Sequence, residues 1–533
     1  MFYRPQMTDR SYYDLGKFHR KATTTSSLAQ QHFDDGLAFL YAFNHDEAIR
    51  SFQKAFMSDE SFAMAYWGIA TANGPHINNP TVDAKKAKAA WQAANQAKRY
   101  ASNGTPQEKA LIETLFARFV QKQPLDRSQL DRNYALEMQA VWKKFPKDPD
   151  IGALYAEAMM DLRPWDLWKS NGSPQPGTPE IVNVLERVLS FSPDHPLANH
   201  LYIHAMEASP NPEKANRAAD TLRDLQPGLG HMVHMPSHID VRQGRWKAAV
   251  IANEKSIRAD LDYAHQQPEQ GFYRLYMTHN YHMLAFAAMM RGQSKLAIST
   301  MDEGVANIPA KWASANVGII DGFMAMPIEV RVRFGKWEDV LKAKKPSGEF
   351  ALAGAMWHMA RGIAFASTKQ TADARMELSR FRSAVKKVPS DRYFGNNTAS
   401  ALLTVALHML EGEILIAEGH LSTGIKTLQN AVIAEDQLRY DEPPDWIIPT
   451  RHALGAAQMR AGKWRDAEKT YKADLNKLPM NGWSLYGLSQ SLERQGKKTE
   501  SQLQHQKFMA VWSESDVQIK SSCLCLPFDT AKE

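Results

Sequence analysis

The chain has 533 residues, 44% of them hydrophobic and 23% charged, with 64 basic against 58 acidic residues for a formal net charge of +6. That thin excess, with no Lys/Arg block, argues against an electrostatic footprint for nucleic acid, and none is expected as a partner. Two cysteines rule out a secreted disulfide framework.

The N-terminus, MFYRPQMTDRSYYDLGK, lacks the apolar core of a secretory signal. The longest apolar stretch, Ala401 to Ala417, is interrupted by His408, Glu411 and Glu413. No membrane-spanning helix is therefore expected, and the default compartment is the cytoplasm.

Taken in chain order, the predicted elements repeat. NHDEAIRSFQKAF (Asn44 to Phe56) follows a helical segment and reads as a second helix carrying a packing alanine, Ala48. AYWGIATANG (Ala65 to Gly74) alternates large and small residues as a first helix does. RPWDLWKSNGSPQPGTP (Arg163 to Pro179) is rich in Pro, Gly and Trp and reads as a long loop, a length often tied to function. GRWKAAVIAN, GQSKLAISTM and GKWRDAEKTY share a turn glycine (Gly244, Gly292, Gly462) and a small residue five positions on (Ala249, Ala297, Ala467). Glycine frees the turn between antiparallel helices, and alanine lets them pack closely. HQQPEQGFY (His265 to Tyr273) reads as an inserted loop. Residues Pro309 to Gly348 keep helical periodicity but lose the landmarks.

This spacing matches a repeat of roughly 34 residues. The expected organisation is an N-terminal segment (1–28), N-terminal repeats (29–162), the loop (163–179), His-rich central repeats (180–305), irregular helical repeats (306–440), C-terminal repeats (441–515) and a tail (516–533). The expected fold class is all-α, a right-handed α-solenoid of antiparallel helix pairs.

Nine of the 18 histidines fall between His195 and His282. With the register fixed by Gly, Ala and Pro alone, the groove-facing positions of three central first helices hold Leu197, His200 and His204, then His231, His234 and His238, then His279, His282 and Phe286. Seven of these nine positions are histidine, three and four residues apart on one helix face. Glu207 extends the first set, and His452 takes such a position in a later repeat.

Imidazole and carboxylate donors at these spacings suit a transition metal: Zn, Fe, Cu, Ni or Mn. His200, His204, Glu207, His231, His234, His238, His279 and His282 are the candidate ligands or near neighbours, more than one ion takes. Two ions, or some histidines acting as orienting partners, would account for the excess. Glu207 is also a candidate general base beside a water-activating ion. A groove open to solvent would leave the coordination position that catalysis needs. Hydrolysis, oxidation, storage and sensing all remain open. So do an imidazole-lined groove for an acidic peptide and a buried hydrogen-bond network.

Pro236 interrupts the second set, so His231 and His234 are expected on a turn before the helix that carries His238. His45 is expected to pack, and His76 to sit at a helix end near the groove mouth. His195 is expected to be an ordinary residue. Cys523 and Cys525, in SSCLCLP, read as surface thiols on a mobile tail, or as possible tail ligands that cap the metal site.

The repeat pattern resembles the tetratricopeptide superfamily across roughly Tyr13 to Ser515. Segments such as AYWGIATANGPHIN, DLRPWDLW, ANHLYIHAMEAS and GHMVHMPSHIDVRQGRW, with their HxxxHxxE and HxxHMPxH spacings, are similar to one bacterial subgroup of it. The resemblance implies the fold, and it implies a protein or peptide partner bound in a concave groove. It transfers no catalytic residue.

Overall fold

A computed structural model describes residues 13–525; the first twelve residues of the N-terminal segment and the last eight of the tail lie outside it. The all-α expectation is met. Among the described residues the one sheet is a pair of two-residue strands, Tyr393–Phe394 and Asn397–Thr398. The chain packs as two compact units, Met1–Ile239 with Lys255–Met277, and Asp240–Glu254 with Thr278–Glu533.

The first unit is built from successive helix pairs. Ser27–Tyr41 pairs with His45–Ser58, Ala63–Ala72 with Ala84–Tyr100, Pro106–Arg118 with Ser128–Lys144, and Pro149–Met160 with Thr178–Phe191. The helix Pro196–Glu207 then packs on Thr178–Phe191 and on the shorter Asn216–Leu222. Side-chain caps set several starts, among them Ser26, Asn44 and Asp148. Thr105 and Glu108 close a reciprocal capping box.

No helix lies between Met160 and Thr178, as the Pro/Gly/Trp-rich segment implies. The helix Trp246–Gln266 runs two residues into the expected insertion, and Tyr273–Met290 begins at its last residue. The segment 309–348 forms only short helices, the longest being Met326–Arg333. The stretch expected to be irregular, 306–440, nonetheless contains two regular pairs: Ala351–Ser367 with Thr371–Val385, and Ala399–Ala417 with Leu421–Asp436. Each keeps one landmark: Ala374 is fully buried five residues after the turn residue Lys369, and Gly419 takes the second turn with φ 91. Thr450–Arg460 with Trp464–Lys477 and Gly482–Glu493 with Lys498–Trp512 complete the second unit.

One helix, Ala399–Ala417, is long and apolar enough by length and composition to cross a membrane, with a mean hydropathy of 1.5 over its window. It packs against Leu421–Asp436, Ala351–Ser367 and Thr371–Val385, and Glu413 within it is buried.

The landmark residues behave as their chemistry requires. Ala48, Ala215, Ala249, Ala297 and Ala467 are all fully buried. Gly462 turns with φ +70, a left-handed conformation that costs an L-residue about 1–2 kcal/mol. Nothing but the Trp464 ring lies near its missing Cβ, so backbone strain alone sets the effect of a substitution there. Gly462→Ala is expected to destabilise the protein by about 1 kcal/mol, and Gly462→Asn by less, because asparagine tolerates this conformation. Thermal unfolding of the full chain checks this; equal midpoints for wild type and Gly462→Ala would show that the turn does not limit stability.

Candidate metal centre

Two sequence features bring the central histidines of the first unit together. Pro196 opens its helix, with the His195 ring accepting the Ala198 N–H as the cap. His200, His204 and Glu207 then fall on one face. Pro236 opens a separate helix, Pro236–Arg242, directly after Gly230–His234. His231 and His234 thus sit on the preceding helical turn and His238 on the next helix, as Pro236 dictates.

The ring hydrogen bonds fix which nitrogens carry protons. His200 Nδ1 donates to the Tyr41 carbonyl at 2.7 Å. His204 Nδ1 donates to Glu207 Oε1 at 2.7 Å, and His238 Nδ1 donates to Glu207 Oε2 at 2.6 Å. Carbonyl and carboxylate oxygens only accept, so the Nδ1 atoms of these three rings bear hydrogens, and on the neutral rings of His200 and His204 the Nε2 atoms present lone pairs. His200 Nε2 lies 3.1 Å from His231 Nε2, and His238 Nε2 lies 2.8 Å from His234 Nε2. His204 Nε2 is buried with no hydrogen-bond partner. One donor atom from each of His200, His204 and His231 falls within 4.8 Å of the others, as does one from each of His204, Glu207 and His238.

Electrostatics disfavours the charged form of three of these rings, His200, His204 and His231. Burial, reinforced by neighbouring histidines, pushes His200 and His231 well below the usual imidazole range. Burial also lowers His204, against the pull of Glu207. Burial alone would raise the Glu207 carboxyl, but His238 and His204 beside it bring it down to about 2, so it is a carboxylate.

The surroundings are aromatic. The Phe43 ring lies 4.5 Å from His200 and 5.7 Å from His231, centroid to centroid. Trp165, from the long loop, meets His204 edge-on at 5.2 Å, and Tyr276 lies 4.6 Å from His231. Behind His200, Tyr41 donates its hydroxyl to Asp150, which also pairs with Arg20 and faces His195 Nε2 at 3.3 Å.

Three expectations change here. The groove histidines are not open to solvent: His200, His204, His231, His234 and His238 are 0–6% exposed, because aromatic rings from the first repeat and the loop close over them. Glu207 commits both oxygens to histidine Nδ1 atoms, which is the geometry of an orienting carboxylate rather than a free base. His195 is no ordinary surface residue but a buried link in the Asp150–Tyr41 network.

His279 and His282 belong to the second unit. His282 is buried with its Nε2 unpartnered, stacking on Phe394 and meeting Phe323 edge-on. His279 lies next to it, ring centroids 6.5 Å apart. His452 pairs with Asp474 at 2.9 Å in the same unit.

Sequence reasoning missed Phe43, Trp165 and Tyr276, and set His45 and His76 apart from the cluster. His76 is buried, its ring 4.8 Å from Phe43 and 4.4 Å from His45. Phe43 carried a signal: counted back from Ala48, it takes the turn position that glycine usually fills. The chain nevertheless turns there with φ 57, the conformation that Gly244, Gly292 and Gly462 take at the equivalent turns and an uncommon one for a bulky residue.

The tail also departs from expectation. Cys523 and Cys525 are buried in the second unit rather than exposed, and their sulfurs are bonded to each other. Their Cα atoms are 5.3 Å apart, within disulfide reach.

No family model matches the chain, and no curated protein matches it. Among solved structures, the human IFIT1 dimer with m7Gppp-AAAA is similar at 11% identity and a TM-score of 0.33, covering 92% of this chain and 91% of that one. The APC/C hetero-tetramer Cut9–Hcn1 is similar at 12% identity and a TM-score of 0.29, covering 93% and 76%. Scores of this size carry no functional argument.

The neutral, buried histidines predict an acid sensitivity whose sign is set by burial. His45 and His282 are each pushed down to about 3 by burial. In the unfolded chain they take up protons near pH 6.5. Stability is therefore full above about pH 6.5 and falls as pH drops from there toward 3, by up to about 1.4 kcal/mol per pH unit for each such ring. The thermal midpoint is expected to fall between pH 7 and 5, and His282→Phe is expected to flatten part of that fall. A midpoint that stays level in wild type would mean that the rings charge without cost.

Proposed function

We propose that the first unit is a transition-metal protein whose ion is held by the Nε2 atoms of His200, His204 and His231. The single observation that carries this reading is the buried Nε2 of His204. It is a lone pair without a partner, beside two further Nε2 atoms, and leaving it unpaired costs about 1–3 kcal/mol. An ion would satisfy all three.

Glu207 then acts as the orienting carboxylate of a carboxylate–histidine–metal arrangement. It also turns His238, whose Nε2 faces His234 Nε2 at a spacing that two ligands of a second ion would take. An all-imidazole donor set suits Zn, Cu, Ni or Fe better than Mn. The burial of the donors favours a closed site that holds, senses or exchanges electrons over one that hydrolyses a bulky substrate. The sequence's other reading, a scaffold with a partner segment in its groove, has the repeat fold behind it and no feature of this cluster.

Elemental analysis of protein purified without a histidine tag or chelator tests the proposal. One to two equivalents of Zn, Fe, Cu, Ni or Mn are expected, with loss of at least one equivalent in His204→Ala and in His200→Ala/His231→Ala. Glu207→Gln keeps one acceptor but replaces the other with a donor, so it is expected to weaken affinity about 10–100-fold without unfolding the chain. Protein that stays metal-free after reconstitution would refute the reading and return the search to a protein partner.

A further inference from the structure

The tail of the second unit builds a separate cluster of different chemistry. Residues Ser521 to Cys525 are anchored inward, not trailing. The Ser522 hydroxyl donates to the His452 carbonyl at 2.8 Å and meets the Tyr471 hydroxyl at 2.7 Å. Arg333 donates to the Ser522 carbonyl, and Ser367 to the Cys525 carbonyl, both at 3.4 Å. These bonds set the two cysteines over Glu413 of the helix Ala399–Ala417.

Glu413 is 2% exposed, and its Oε2 has no hydrogen-bond partner. One oxygen of Glu413 and both sulfurs lie within 4.8 Å of one another. They line a cavity of about 10 Å³ together with Met359, Met409 and Arg333, which is the room of one water or one bare ion. Burial raises the Glu413 carboxyl to about 8, and its unpartnered oxygen beside a space of that size is a ligand atom lacking its partner.

We infer that Cys523, Cys525 and Glu413 form a second metal site, specific to zinc(II) or a cation of the same class, which fills when the cysteine pair is reduced. A thiol or phosphine reductant supplies two electrons, the disulfide takes up two protons to give two thiols, and the ion displaces those two protons and the one on the Glu413 acid as it binds. Two thiolates and one carboxylate bring three negative charges into a buried space whose lining offers one cation, Arg333. A divalent ion closes that balance to zero, whereas a monovalent one leaves it negative. Two sulfurs and an oxygen are also an ordinary zinc donor set, with the fourth position left to a small ligand.

The site is independent of the histidine cluster, and so is its test. Full-length protein, reduced under anaerobic conditions, is titrated with cobalt(II) as the spectroscopic stand-in for zinc. A thiolate-to-cobalt charge-transfer band in the near ultraviolet is expected, which imidazole ligands do not produce, and zinc is expected to bleach it. Cys523→Ser/Cys525→Ser removes the band, and Glu413→Gln lowers the affinity by at least about tenfold. If a variant fails to fold, oxidised wild-type protein serves as the control, since its sulfurs are bonded to each other and it gives no band. A reduced wild-type protein without the band, a band retained in the double serine variant, or uptake of copper(I) with no uptake of cobalt or zinc would each overturn the assignment.

Discussion

The first unit depends on keeping the imidazoles of His200, His204 and His231 neutral, and aimed with those of His234 and His238 inside a space that admits little water. Neutral rings in contact must divide donors and acceptors among themselves, and the protein settles that division from outside the cluster. Glu207 takes the Nδ1 hydrogens of His204 and His238, and the Tyr41 carbonyl takes that of His200. Without acceptor-only partners at those places, each ring could flip tautomer and the Nε2 lone pairs would not converge. A carboxylate at 207 does this for two rings at once because it lies one turn from His204 on its own helix and faces the next helix with its other oxygen.

The rest of the unit supports those two acceptors. Tyr41 ends the first helix, and its backbone is held by the hydroxyl bond to Asp150, whose charge is balanced by Arg20. Burial would raise the Asp150 carboxyl, yet the Arg20 guanidinium and the bonds from His195 and Tyr41 hold it well below its usual range. The N-terminal segment, the first repeat and the helix Pro149–Met160 are thereby tied to one carbonyl oxygen. Phe43, two residues further on, fills the space beside His200 and His231 with a ring that offers no hydrogen bond. That choice excludes water without competing for the lone pairs, and it places a phenylalanine where the turn would prefer glycine.

Much of this was legible in the sequence. The helical hairpins followed from Gly244, Gly292, Gly462 and their alanines, and the split between His234 and His238 followed from Pro236. The convergence of His200, His204, His231, His234 and His238 followed from their spacing, because steps of three and four are the same physical fact on any helix. Three things were not legible. The aromatic wall comes from Phe43, Trp165 and Tyr276, which are distant in sequence and carry no periodic signal among the 52 aromatic residues (22 Phe, 13 Trp, 17 Tyr). The role of His195 depends on Asp150, 45 residues away. The tail looked mobile because its flanks are polar, and only the contacts of Ser522 with His452 and Tyr471 show why it is not.

The donor chemistry of the two clusters then separates the ions they can hold. His200, His204 and His231 are uncharged, so on the proposed reading an ion among them would keep most of its charge, offset only through the Glu207 carboxylate beyond the ligands. Such a site tolerates a change of oxidation state and binds by directed lone pairs. In the site inferred for the tail, two thiolates and Glu413, offset by Arg333, would cancel a divalent charge, which makes the affinity depend on the redox state of the cysteines and on pH. A chain that kept one kind of donor in both places would have two copies of one function. On the two proposals together, a reductant would create the sulfur donors of the second cluster, whereas the nitrogen donors of the first are present in either redox state.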